Sequence, residues 1–149
     1  MSSIDFGVVD NRFLARSIGL LNPPIPFTVS EDAPVRRALE ILQENKIGCV
    51  VVVDVDGRIS GMFSERDVVL RVVLADIDPN ETLISKIMTP KPHVATMTTT
   101  VAFALNMMSH GGFRHIPIVD DDNFPVGMIS VKNIVDFIVQ ALTKDLTRA

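Results

Sequence analysis

Apolar and polar positions along this chain follow two different periods, and the two alternate in the same order twice. Val35, Ala38, Leu39 and Leu42 stand at i, i+3, i+4 and i+7, the spacing that places side chains on one face of a helix. An extended stretch, Phe27 to Val29, and a polar turn, SEDAP, precede them. Asp32 or Ala33 is expected to cap this helix, with Pro34 in its first turn, where a missing N–H costs nothing. Downstream, VVVVDVDGRISGMF carries β-branched runs on both sides of Asp56-Gly57, which predicts two strands joined by a hairpin turn. A second helix is expected after Ser64. The series then restarts with an extended stretch, His93 to Ala95, and the polar turn TMTTT. Val101, Ala104, Leu105 and Met108 give the next helix face, and IPIVDDDNFPVGMIS the next strand pair, with Asn123 in the turn. A last helix follows Ser130, with Ile134, Phe137, Ile138 and Ala141 on its apolar face.

The repetition has a fixed register. The heptad GMFSERD (Gly61 to Asp67) returns as GMISVKN (Gly127 to Asn133), an offset of 127 − 61 = 66. Applied without a gap, that offset lays Val52, Val53 and Asp54 on Ile118, Val119 and Asp120, and Ile18, Pro24 and Pro26 on Ile84, Pro90 and Pro92. The chain is therefore a duplication. It divides into an N-terminal extension (1–17), a first repeat (18–80) and a second (81–149), each reading strand-helix-strand-strand-helix. The fold class is α+β: two copies, each with a sheet face and helix faces to bury, are expected to pack against one another as a pseudo-two-fold pair.

Composition narrows the setting. With 47% hydrophobic and 21% charged residues, the 149-residue chain has ample material for a core and does not read as disordered. A net charge of −4 with no basic cluster argues against binding a nucleic acid polymer. The opening MSSIDFGVVDNR lacks the basic-then-apolar pattern of a secretory signal, and no apolar run approaches bilayer-spanning length. The lone Cys49, inside IGCVVVV, reads as a buried, inert thiol in a reducing compartment. A soluble cytoplasmic protein is the expectation.

Candidate chemistry lies at the strand-to-helix corners. Ser64 and Ser130 occupy N-cap positions, where free backbone N–H groups and the positive helix end suit an anion. Asp67 adds two acceptor oxygens that can take both hydroxyls of a ribose. The same Ser-x-x-Asp spacing is that of a capping box, in which both side chains merely satisfy helix-end N–H groups. Both readings stand at this point.

Tandem strand-helix-strand-strand-helix copies, with V-V-D-x-x-G followed by G-h-h-S-x-x-D (h, hydrophobic), resemble the cystathionine-β-synthase (CBS) domain pair, or Bateman module. FRHIPIVDDDNFPVGMIS is particularly similar to the second half of bacterial stand-alone pairs. The resemblance covers the chain from about residue 18 to the last helix. It implies a regulatory module without catalysis that binds AMP, ADP or ATP, less often NAD or S-adenosylmethionine, in clefts between the copies, with or without magnesium. Carried over, one site combines Ser64, Arg66 and Asp67 with Val94, Arg114 and His115. Asp67 would hold the ribose, Ser64 and the cations the phosphate, and the backbone around Val94 and Arg114 the adenine. The pseudo-symmetric site combines Ser130, Lys132 and Asn133 with Thr28, Gly48 and Cys49. It is expected to be the weaker, because Asn133 carries no charge and Gly48 and Cys49 supply no cation. The resemblance further implies a homodimer formed through the helices and a separate effector protein.

Other residues carry less. His93 and His110 show no metal-ligand spacing. Asp120, Asp121 and Asp122 fit a solvated turn, and Met107 and Met108 fit helix packing. No nucleophile–base constellation or P-loop is present. The competing reading is a dimerisation or docking module that binds no nucleotide.

Overall fold

A computed structural model of the chain describes residues 10–147; residues 1–9, within the N-terminal extension, and 148–149 lie outside that range. A short helix, α1 (Asn11–Leu14), and a 3-10 turn, Ile18–Leu21, lead into β1 (Thr28–Ser30), α2 (Val35–Asn45), β2 (Cys49–Val53) and β3 (Ile59–Ser64). Helix α3 (Glu65–Asp67) makes one α-helical turn and continues as a π-helix, Val68–Val73. The second repeat supplies a 3-10 turn (Ile84–Lys86), β4 (Thr89–Pro90), α4 (Val101–Gly111), β5 (His115–Val119), β6 (Pro125–Ser130) and α5 (Val131–Thr147). The expected α+β architecture is present, in one sheet ordered β1-β2-β3-β4 and a second of β5-β6.

The 66-residue offset persists in detail. Gly57 (φ 88°) and Asn123 (φ 69°) occupy the same left-handed position of the two hairpin turns, the conformation that favours glycine and asparagine. In each turn one aspartate fixes the loop: Asp54 Oδ1 accepts from the N–H groups of Asp56 and Arg58, and Asp120 Oδ1 from those of Asp122 and Phe124. The acidic run at 120–122 thus belongs to a turn, as its sequence suggests.

Two local expectations need correction. Neither Asp32 nor Ala33 caps α2. Pro34 is its N-cap residue, with no side-chain cap bond, and the N–H of Val35 donates instead to the carbonyl of Thr82, 2.9 Å away. Tertiary contact has replaced the local cap; in the second repeat, by contrast, Thr100 Oγ1 accepts from Phe103 N–H. The stretch His93 to Ala95 does not form a strand. Only Ala95 pairs, in a single parallel bridge with Ile118, where the first repeat has the full β1–β2 ladder.

The leading segments of the two repeats are exchanged. Ile18 and Gly19 donate backbone hydrogen bonds to Thr99 and Met97 of the second repeat, while Ile84 and Ser85 donate to Ala33 and Glu31 of the first. The carbonyl of Pro24 accepts from Met128 on β6, and β4 pairs with Gly61 and Met62 on β3. The cores follow suit. Ile18 and Phe13 lie buried among Val101, Ile116, Ile129 and Ile134, and Ile84 among Val35, Val50, Val52 and Phe63. Each such fully buried side chain contributes about 1.5–3 kcal/mol of burial free energy, ample reason for the exchange. Cys49, Val51, Ile59, Val119 and Met128 form a third cluster between the repeats. Strand β2 is thus buried on both faces, which explains its unbroken apolar run.

Candidate functional site: the cleft between the repeats

Strand β3 ends at Ser64, and the chain turns at once into α3. Asp67 Oδ2 accepts from the Ser64 N–H (2.9 Å) and hydroxyl (3.1 Å), while Ser64 Oγ accepts from the Asp67 N–H at 3.4 Å. This is a complete capping box. One carboxylate oxygen is committed to it. The other, Oδ1, lies 3.5 Å from Nε of Arg71, whose Nη1 donates to the carbonyl of Ile87. These contacts take three of the about four acceptor positions that an ionised carboxylate offers. Capping and ligand contact are therefore compatible at this residue.

In front of the corner opens a cavity of about 750 Å³, within the usual range for small-molecule sites. Ser64, Arg66 and Asp67 line it from the first repeat, Arg114 and His115 from the second. Five of the six residues named for this site are thus together. Val94 is absent from the lining; its neighbour His93 stands on the wall instead, stacked on Phe113 with ring centroids 5.7 Å apart. Glu65, Arg71, His93 and Phe113 also line the cavity and were missed in the sequence. The helical position of Arg71, one turn after Asp67, was the available signal for it.

Gly48 and Cys49 require a correction. The family resemblance put them with Ser130; they line the Asp67 cavity. Cys49 is the ladder partner of Ser64, and Gly48 abuts His115: a Cβ on Gly48 would lie 3.2 Å from His115 Cε1 and 3.9 Å from Glu65 Cδ. Positions 49 and 115 are equivalent under the offset, and both sit where the two repeats meet. Burial acts on them in opposite directions. It raises the Cys49 thiol from 9.0 to about 12, with the nearby Asp67 charge adding to the effect. It lowers His115 below its ordinary 6.5; Arg114 pushes the same way and Glu65 opposes. Cys49 is accordingly buried and protonated, the inert thiol its surroundings in the sequence suggested.

The second corner repeats the cap but not its setting. Asn133 Oδ1 accepts from the Ser130 N–H and hydroxyl, and Ser130 Oγ accepts from Asn133 N–H. Lys132 is turned along its own helix to Asp136, 2.6 Å away. Thr28 is exposed and pairs with Val51 on the first sheet. Among the described residues, no group of His, Cys, Asp and Glu is arranged to hold a metal ion, and no helix is long and apolar enough to cross a membrane.

This architecture coincides with a sequence match: the CBS domain profile fits residues 17–74 and again 84–140. The chain belongs to the CBS-domain family. Its two CBS domains form a tandem pair, as the duplication and the residues at its corners implied. The Meiotically up-regulated gene 70 protein of Schizosaccharomyces pombe is 36% identical over 115 residues, 77% of this chain and 16% of that protein. The chain spans about a fifth or less of the length of the first curated relatives it matches. Among solved structures, a CBS-domain containing protein from Agrobacterium tumefaciens is 29% identical, with a TM-score of 0.73 over 83% of this chain and 93% of that one. A CBS domain protein from Pyrobaculum aerophilum, complexed with AMP, is 25% identical, with a TM-score of 0.74 over 86% of this chain and 98% of that one. CBS-domain pairs are in general regulatory, non-catalytic modules.

Proposed function

We propose that this CBS pair binds an adenine nucleotide of the AMP, ADP or ATP type between its repeats and acts as a regulatory sensor with no catalysis of its own. One observation carries the reading: a cavity of nucleotide size joins an acceptor corner, Ser64 and Asp67, to cations, Arg66 and Arg114, from both repeats. The acceptor position left on Asp67 Oδ1 receives a ribose hydroxyl, and the arginines receive phosphate, a geometry their planar forks suit. The AMP complex of the Pyrobaculum aerophilum relative supports the ligand class. Output passes to a separate effector protein, because ligand binding here can only bias a conformational equilibrium that a partner reads. The buried, protonated Cys49 suits a reducing, cytoplasmic setting.

Isothermal calorimetry with AMP, ADP, ATP, NAD and S-adenosylmethionine, with and without magnesium, tests the proposal. Saturable heat from an adenine nucleotide is expected, with AMP the reference ligand. Absence of heat with every ligand at millimolar concentration would refute it and leave the docking reading.

That second reading has its own observation. Val131, Val135, Val139 and Leu142 form an exposed apolar stripe on α5, and Val69, Leu70, Val73 and Leu74 expose another beyond α3. Covering these helix faces with a second copy gives a homodimer, with or without nucleotide. Sedimentation equilibrium tests it: a monomer at every concentration rules the homodimer out.

A further inference from the structure

His115 is a cavity-wall side chain of the type that changes charge near neutral pH, and it lies where the two repeats meet. It opens β5, half-buried, with its ring edge against Gly48 and the Glu65 carboxylate beyond. Among the described residues its ring makes no hydrogen bond, and Gly48 leaves it room that any larger side chain would take. The groups around it come from every element of the cavity: Glu65, Arg66 and Asp67 from α3, Arg71 from the π-helix, Cys49 from β2, Arg114 just before its own strand, and His93 across the wall.

Their charges nearly cancel. Arg71 is paired with Asp67, and Cys49 is protonated. Arg66 and Arg114 then face Glu65, leaving about one net positive charge when the histidines are neutral, by formal charges alone. A terminal phosphate carries a charge of about −1.5 to −2 near pH 7. Bringing it beside Glu65 leaves the site short of positive charge, and an imidazolium at position 115 supplies it. Burial disfavours that proton in the free protein; an adjacent phosphate favours it.

We propose that His115 is the proton-binding residue of this nucleotide site, so that the CBS pair takes up a phosphate-bearing nucleotide together with a proton and binds it more tightly as pH falls. The inference rests on the nucleotide reading above and specifies its regulation. Neutral His115 accepts a proton from solvent on its free ring nitrogen, and the imidazolium then donates a hydrogen bond to the phosphate while Glu65 flanks it. No bond of the nucleotide changes.

AMP titrations at about pH 6 and about pH 8, in buffers of different ionisation heat, read both affinity and protons taken up. Between these pH values the affinity of the native chain should rise by about tenfold more than that of His115→Gln, one proton per site being the ceiling. Protonation of the phosphate itself is common to both proteins and cancels in the comparison. Glu65→Gln, on the exposed start of α3, should still bind AMP but take up fewer protons. Adenosine, lacking the anion, should show no uptake. AMP binding with the same pH dependence and proton count in all three proteins overturns the inference and leaves the nucleotide reading intact. If AMP gives no heat at either pH, the nucleotide reading itself falls and this inference with it.

Discussion

The two strand-to-helix corners differ less in their caps than in what stands one turn beyond. Ser64–Asp67 and Ser130–Asn133 make the same three reciprocal hydrogen bonds. Under the 66-residue offset, however, Glu65, Asp67 and Arg71 become Val131, Asn133 and Phe137. At the first corner a guanidinium ties the carboxylate to the loop after the helix, and the helix continues as an exposed π-helical turn. At the second, Phe137 stacks on Phe13 of α1, ring centroids 5.7 Å apart, and the helix runs on as seventeen α-helical residues. One copy has kept charge facing a cavity; the other has put apolar contact in its place. A cap motif therefore does not mark a ligand site. The two corners share it and differ in the charge around it.

That contrast can be broken at several points. Phe137→Ala should cost the most stability, about 2–3 kcal/mol for a partly buried ring, and lower the melting temperature by roughly 5–10 °C, read by calorimetry. Arg71, its equivalent, is an exposed side chain that makes polar contacts alone, and its loss should move the melting temperature far less. Asp67→Ala should do the reverse of Phe137→Ala. It should weaken AMP by about 1.5–3 kcal/mol per lost charge-assisted bond, a tenfold to hundredfold loss in titration, while stability falls by only about 1 kcal/mol for the cap. A loss of stability without a loss of affinity would reduce Asp67 to a capping residue.

Cys49, set against its equivalent His115, gives a pH test. Its thiol binds a proton more tightly folded than unfolded, so its contribution is intact below pH 9.0 and erodes as pH rises toward about 12. Denaturant midpoints should fall through that window by up to about 1.4 kcal/mol per pH unit, and Cys49→Ala should remove this component of the slope. At the second corner, Ser130→Ala should cost about 1 kcal/mol of stability and leave AMP affinity unchanged. Lys132→Ala should cost the least, under about 0.5 kcal/mol, because it removes an exposed i,i+4 pair with Asp136.

Much of this molecule can be read from its residues. The offset from Gly61 to Gly127 predicts two equivalent units, and Gly57 and Asn123 occupy matching left-handed turns because both residue types tolerate that conformation. Ser64, Arg66, Asp67, Arg114 and His115 meet at one cavity as the family resemblance implied. Gly48 and Cys49, which the family resemblance put at the second corner, line the cavity of the first, because a repeat in sequence does not say how close to the other repeat a residue falls. Where the repeats meet, equivalent positions such as 49 and 115 line a single cleft.

What the sequence determined alone is whatever depends on near neighbours: periods of apolar residues, turn chemistry, the capping boxes and the duplication itself. The tertiary structure decided everything that one repeat does to the other. Ile18 and Ile84 are buried in each other's units, Thr82 supplies the acceptor that α2 lacks locally, and Glu65 comes to face His115. Such pairings are fixed by which faces can be buried together, a property of the packed whole.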